Sequence, residues 1–176
     1  KDESPAFGSV RFEGTNAIVR LRNAESLYNY NKDGHTYNGV IDFGDETASG
    51  GWKITGTDGW VDDLNWGSEA QDESAETSTI QLVSGGGSKD IKAYAKRFYQ
   101  FRFDSSTLVL EKIAGWDYIG IVGSFNGWNA ADADCVMKYN ASFHRFWIDY
   151  TFAEDAELKF TADGNWDLNW GVDCAN

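Results

Sequence analysis

Lys159-Phe-Thr-Ala-Asp-Gly-Asn-Trp166, closing on Leu168-Asn-Trp-Gly171, has a counterpart about one domain length earlier in the chain. There the sequence runs Lys53-Ile-Thr-Gly-Thr-Asp-Gly-Trp60 and closes on Leu64-Asn-Trp-Gly67. The lysine-to-tryptophan spacing is the same in both copies, and the Leu-Asn-Trp-Gly ending is identical. Repetition at a fixed period marks duplicated structural units. The chain is therefore expected to be a tandem of two related domains, residues 1–113 and 114–176, with residues 1–5 a polar linker.

A chain of 176 residues has room for one large or two small domains, and the repeat favours two. Hydrophobic residues at 41% are enough to fill a core, but eight tryptophans exceed what a small core needs, since Trp is seldom fully buried. Some of these rings are therefore expected at the surface. The net charge of -13 argues against nucleic acid and against anionic membranes as partners, because both are recognised by clustered Lys and Arg. An acidic surface suits a neutral ligand or simple solvation. No apolar run approaches the roughly 18 residues of a transmembrane helix, so no transmembrane span is expected. Cys135 and Cys174 both fall in the second copy, opposite Ser26 and Ala70, and are either one bridge or two buried thiols.

Alternation of period two is common along the chain and helical periodicity scarce. Tyr99-Gln-Phe-Arg-Phe103, the turn Asp104-Ser-Ser, and Thr107-Leu-Val-Leu-Glu111 read as a hairpin. Residues 143–150 and 157–161 read as further strands bounded by Gly, Asp and Asn. Short strands with regular turns and no intervening helices predict an all-β fold of antiparallel sandwiches.

The copies also align outside the motif. Tyr139-Asn140 through Trp147-Ile-Asp-Tyr150 matches Tyr30-Asn31 through Val40-Ile-Asp-Phe43, which sets His144 opposite His35. Neither histidine has a Cys or His cluster near it, so a structural role is expected and no metal or cofactor is called for. Gly120-Ile-Val-Gly-Ser-Phe-Asn-Gly-Trp128 opens the second copy, whereas the matching segment of the first carries Thr15 where Trp128 stands. The first copy continues past its motif through a Gly85-Gly-Gly87 turn and further strands, while the second reaches only Asn176. The second domain is thus expected to lack its closing strands, whether as a fragment, through later residues outside the chain, or through exchange between molecules.

In a strand, neighbouring side chains face opposite ways. Leu158 and Phe160 are then expected to face the core with Lys159 and Thr161 outward, and Trp52 and Ile54 to face inward with Lys53 and Thr55 outward. Trp60, Trp128 and Trp166 sit in Gly-rich turns and are expected to be exposed; Trp66 and Trp170 read as core or loop anchors. Two indole faces beside a cation and an amide suit a neutral oligosaccharide. Pyranose faces pack on indole, while hydroxyls bond to ammonium and amide groups. This gives Trp128, Lys159, Trp166 and Asn169 as the candidate site of the second domain, and Lys53, Trp60 and Asn65 as its counterpart in the first.

Val122-Gly-Ser-Phe-Asn-Gly-Trp128, Met137-Lys-Tyr, Leu158-Lys-Phe160 and Asp163-Gly-Asn-Trp166 together resemble the starch- and glycogen-binding β-sandwich modules, including the glycogen-binding domain of AMP-activated protein kinase. Two such modules in tandem resemble the surface starch-binding lipoproteins of Bacteroidetes, the SusE and SusF type. The resemblance implies immunoglobulin-like carbohydrate-binding sandwiches. It also implies non-catalytic binding of α-glucan on the extracellular face of the outer membrane, beside an outer-membrane transporter complex. The lipid anchor of that family would lie outside this chain. With no tryptophan at Thr15, the first domain is expected to bind more weakly or not at all.

Two other function classes compete. Asp62, Asp63, Asp163 and Asp167 lie beside the tryptophans, and a small glycoside hydrolase would need two such carboxylates about 5–9.5 Å apart. Turn segments favour Asp for their own reasons, however. A cell-surface protein-interaction module would use the same aromatic residues at an interface.

Overall fold

The alternating segments of the sequence form strands, and helix is confined to short 3-10 turns among the described residues. The computed structural model describes residues 10–14, 26–27, 33–44, 51–56, 64–70, 73–92 and 95–172. The 1–5 linker, Thr15, Trp60, Asp62, Asp63 and Cys174 lie outside these. Two compact units divide the chain, Lys1–Gly115 and Trp116–Asn176.

In the first unit the strands are β1 (Val10–Gly14), β2 (Ser26–Leu27), β3 (Thr36–Asp42), β4 (Trp52–Thr55), β5 (Asn65–Ser68), β6 (Thr79–Ser84), β7 (Phe98–Asp104) and β8 (Val109–Trp116). They join in one curled sheet of order β2-β1-β4-β5-β6-β8-β7-β3. The ladders are antiparallel, with Ile54 opposite Trp66 and Phe101 opposite Gly39. The sheet is continuous because β6 serves two neighbours. Its first half pairs with β8, Ile80 opposite Leu110, and its second half with β5, Leu82 opposite Ser68.

Curling brings the far strands face to face around an aromatic core. Trp52 of β4 meets Phe101 of β7 at 5.6 Å between ring centroids, and Trp66 of β5 meets Phe103 of β7 at 5.6 Å. Phe43 adds contacts to Trp52 and Tyr99. Each fully buried ring of this kind contributes roughly 1.5–3 kcal/mol. The hairpin expected around residues 104–106 is present as β7, a turn, and β8 beside it. Asp104 fixes that turn by accepting from the backbone N–H groups of Ser106 and Thr107.

The second unit has β9 (Ile119–Gly123), β10 (Lys138–Asn140), β11 (Arg145–Trp147), β12 (Leu158–Ala162) and β13 (Asn169–Trp170). They form a three-stranded sheet of order β13-β12-β9 and a separate hairpin of β10 and β11. The strand expected over 143–150 is shorter because Asn140 Oδ1 accepts from the N–H groups of Ser142 and Phe143 and turns the chain, with His144 left-handed at φ 50°.

The expected inward and outward faces of β12 need correction. Its residues alternate, but Thr161 is 1% exposed while Leu158 and Phe160 are 42% and 38% exposed. Phe160 lines an open apolar cavity of about 310 Å3 with Ile119, Met137, Phe146 and Trp170. In the first unit the equivalent face of β4 and β5 is covered by the rings of β7. In the second, Phe146 of β11 is the facing strand's ring at this cavity, and Phe160 stays 38% exposed.

Candidate functional site

Two turns of the second unit carry the tryptophans, and both use the same backbone device. At the end of β12, Asp163 and Gly164 adopt φ 52° and 67°, and the Asn165 N–H closes onto the Ala162 carbonyl at 3.2 Å. Two consecutive left-handed residues closed in this way have the form of a type I′ turn, for which Asp-Gly is a favoured pair. After β9, Gly127 and Trp128 adopt φ 64° and 61°, and the Asn129 N–H reaches the Asn126 carbonyl at 3.3 Å. Here the second left-handed residue is a tryptophan, a conformation that costs a bulky L-residue about 1–2 kcal/mol. Strain of that size persists only where neighbouring groups hold it.

Such groups surround this turn. The Trp128 N–H donates to the Gly123 carbonyl at 2.8 Å. Asn126 bonds to Gly123, Asn129 and Asp132, and Asp132 Oδ1 accepts from the Asp134 N–H. The buried Cys135 thiol donates to Asp132 Oδ2 at 3.3 Å. That bond, helped by Asn126 and the Asp134 N–H, holds the Asp132 carboxyl below the usual carboxylate range, while burial pushes the Cys135 thiol up. Cys135 is a free thiol.

The turn at the other side is equally fixed. Asp163 Oδ1 accepts from the N–H groups of Asp117 at 2.8 Å and Tyr118 at 3.2 Å. This carboxylate is engaged in holding the loop. Asn165 Oδ1 accepts from Asp167 N, which shapes the approach to Trp166.

The four residues expected in the second domain are connected by contacts. The Trp128 and Trp166 rings lie 6.2 Å apart at 40° to each other and are 38% and 43% exposed. Asn169 Nδ2 donates to the Trp166 carbonyl at 3.1 Å, and Lys159 Nζ donates to Asn169 Oδ1 at 3.4 Å. The angled indole pair is thus linked through the Trp166 main chain to Asn169, and through Asn169 to Lys159.

The first-unit counterpart differs, and the expectation of a solvent-facing lysine there is corrected. Lys53 is only 9% exposed, with Nζ donating to the carbonyl and hydroxyl of Ser88, both at 2.9 Å, and Asp90 at 3.9 Å. Asn65 is buried as well, and its carbonyl accepts from the Gly85 N–H. The chain beyond β6 folds back over this face: Ser68 and Lys89 exchange backbone bonds, as do Trp52 and Ile91. Neither Lys53 nor Asn65 is open to a ligand. Trp66 lies in the core.

Sequence reasoning missed what the final glycine of the repeated ending does. A Cβ on Gly67 would stand 3.1 Å from Lys53 Cε, and one on Gly171 would stand 3.1 Å from Lys159 Cε. In both copies the lysine stem crosses the glycine, so the two recur together. The identical Leu-Asn-Trp-Gly endings were the signal. His35 and His144 immediately precede β3 and β11, and no cluster of three or more metal-ligating side chains occurs among the described residues. No protein-family model, curated protein or solved structure matches this chain.

Proposed function

We propose that the second unit is a non-catalytic glycan-binding module, with an α-glucan as its ligand. The observation that carries this reading is the exposed Trp128–Trp166 pair, tilted at 40° and linked through the Trp166 main chain to Asn169 and Lys159. Each ring offers a flat apolar face for one sugar, and the two polar side chains supply a donor and a mixed donor–acceptor for hydroxyls. Small-ligand sites combine apolar contact area with a few placed polar groups in this way. The tilt favours a chain whose successive sugars turn, as α-linked glucose does, over a flat ribbon. Engagement of Asp163 with the backbone supports binding over hydrolysis.

In this reading the first unit is an immunoglobulin-like sandwich whose two halves share β6, and the second unit is a related sandwich. The first unit acts as a spacer or weak auxiliary domain. The motif resemblance extends the proposal to a lipid-anchored protein at the outer face of the outer membrane, working beside a transporter. No described helix is long and apolar enough to cross a membrane.

Calorimetric titration of the chain with maltoheptaose, with cellohexaose as control and product analysis alongside, tests the reading. Saturable binding of the α-linked oligosaccharide without cleavage is expected. Absence of binding to every glucan overturns it, and released products would make the protein a glycoside hydrolase.

A further inference from the structure

Trp128 owes its orientation to a backbone that must be restrained, and the restraint converges on one neighbouring side chain. Asn126 ends the 3-10 turn Ser124–Asn126, two residues before Trp128. Its Oδ1 accepts from the Gly123 N–H at 3.0 Å. Its Nδ2 donates to the Asn129 carbonyl at 3.0 Å and to Asp132 Oδ2 at 3.2 Å. These partners lie on both sides of Trp128 in the chain, so a single amide ties the entrance of the turn to its exit. Acceptor and donor halves are both in use. Aspartate would replace only the acceptor, and alanine neither.

We infer that Asn126 is the positioning residue of the tryptophan site, holding the left-handed backbone that sets the Trp128 ring against Trp166. Its effect on affinity rests on the glycan-binding reading above; its effect on ring geometry does not. Without these bonds Trp128 is free to leave φ 61° for the right-handed region, which aims its ring elsewhere. The ligand then meets one indole face in place of two.

An aspartate at this position makes the role titratable. The new carboxyl would face Asp132 where the amide donor now lies, 3.2 Å away, with the Cys135 thiol on the same carboxylate and Asp134 and Tyr150 as the other titratable groups around it. Two carboxylates that close do not both ionise readily. At low pH one keeps its proton and donates to the other, as the amide does. As pH rises through that raised value the second charge appears and the turn opens.

The experiment uses the full chain and two readouts, maltoheptaose affinity and the far-ultraviolet exciton circular dichroism of the indole pair. The part of the couplet that Trp128→Phe removes defines the Trp128–Trp166 signal. Asn126→Ala is expected to remove the same part and to weaken binding at least about tenfold while the first unit still melts cooperatively. Asn126→Asp is expected to lack both signal and affinity near pH 8 and to regain them near about pH 4, where the wild type is unchanged between the two. Loss of the couplet in Asn126→Ala, alongside a wild type that binds no glucan, would leave the positioning role intact and end the binding reading. An unaltered couplet in Asn126→Ala, or a flat pH profile in Asn126→Asp, overturns the inference. If Asn126→Ala does not fold, the Asn126→Asp profile decides alone.

Discussion

Lys53 Nζ donates to both the main-chain carbonyl and the side-chain hydroxyl of Ser88, each at 2.9 Å. Among the described residues the equivalent ammonium in the second unit, Lys159, reaches Asn169 Oδ1 at 3.4 Å and no other acceptor. One lysine of the repeat is thus engaged by the fold, and the other has donors to spare.

That contrast predicts opposite outcomes for one substitution. Lys53→Ala leaves buried acceptors on Ser88 without a donor and is expected to cost about 1–3 kcal/mol of stability. Glycan affinity should stay within about twofold, since the second site is untouched. Lys159→Ala should do the reverse, weakening binding with little change in melting temperature. Paired calorimetry and thermal melts check both; a Lys159 variant melting far below the parent would give this lysine a structural role.

Trp166 supplies one of the two indole faces, and truncating such an anchor commonly costs about 2 kcal/mol. Trp166→Ala is expected to bind maltoheptaose at least about tenfold more weakly. Unchanged affinity in the folded variant would remove this ring from the site.

The repeat residues of the first unit, Lys53 and Asn65, are buried. A chain carrying Trp128→Ala and Trp166→Ala together is therefore expected to bind no maltoheptaose measurably. Residual saturable binding would locate a second site in the first unit, and its stoichiometry in the wild type would then be two.

Gly123 is needed for the space it leaves. A Cβ there would stand 2.0 Å from the Glu157 carbonyl oxygen, so backbone must move. Gly123→Ala is expected to destabilise the second unit by about 1–3 kcal/mol or more, read as a lowered melting temperature and loss of the Trp128–Trp166 couplet.

The Asp132 carboxyl is held below the usual range, chiefly by the Cys135 thiol and then by Asn126. A depressed folded value contributes stability above the unfolded Asp value of about 3.9 and loses it as pH falls through the folded value. Affinity is therefore expected to be flat from about pH 8 to about pH 5 and to decline only below about pH 3.9. A titration series checks this, and a loss beginning near neutrality would implicate another group.

Much of this was legible in the sequence, and the failures have physical causes. Period-two alternation located β7 and β8, and the turn residues located the loops that bring Trp128 and Trp166 together. The Gly-rich turn before Trp166 was legible because its backbone demands are local. The burial of Lys53 was not legible, because the covering residue, Ser88, is 35 positions away and belongs to a segment with no counterpart in the second copy. The reversed exposure of Phe160 and Thr161 has the same origin: alternation shows that two faces differ, while what covers each face is a tertiary matter.

The alternation of β12 also makes the site a property of strand register. Lys159 and Thr161 lie on one side, Leu158 and Phe160 on the other, with Leu158 opposite Gly123 and Phe160 opposite Ile121. A slip of one residue would carry the lysine to the side of the apolar cavity and put phenylalanine on the side that Asn169 bonds to. Ligand recognition here would then fail wholesale, without any contact residue being changed. The crowding of Gly123 against Glu157 guards against that slip, acting as a stop that fixes where the strand can come to rest.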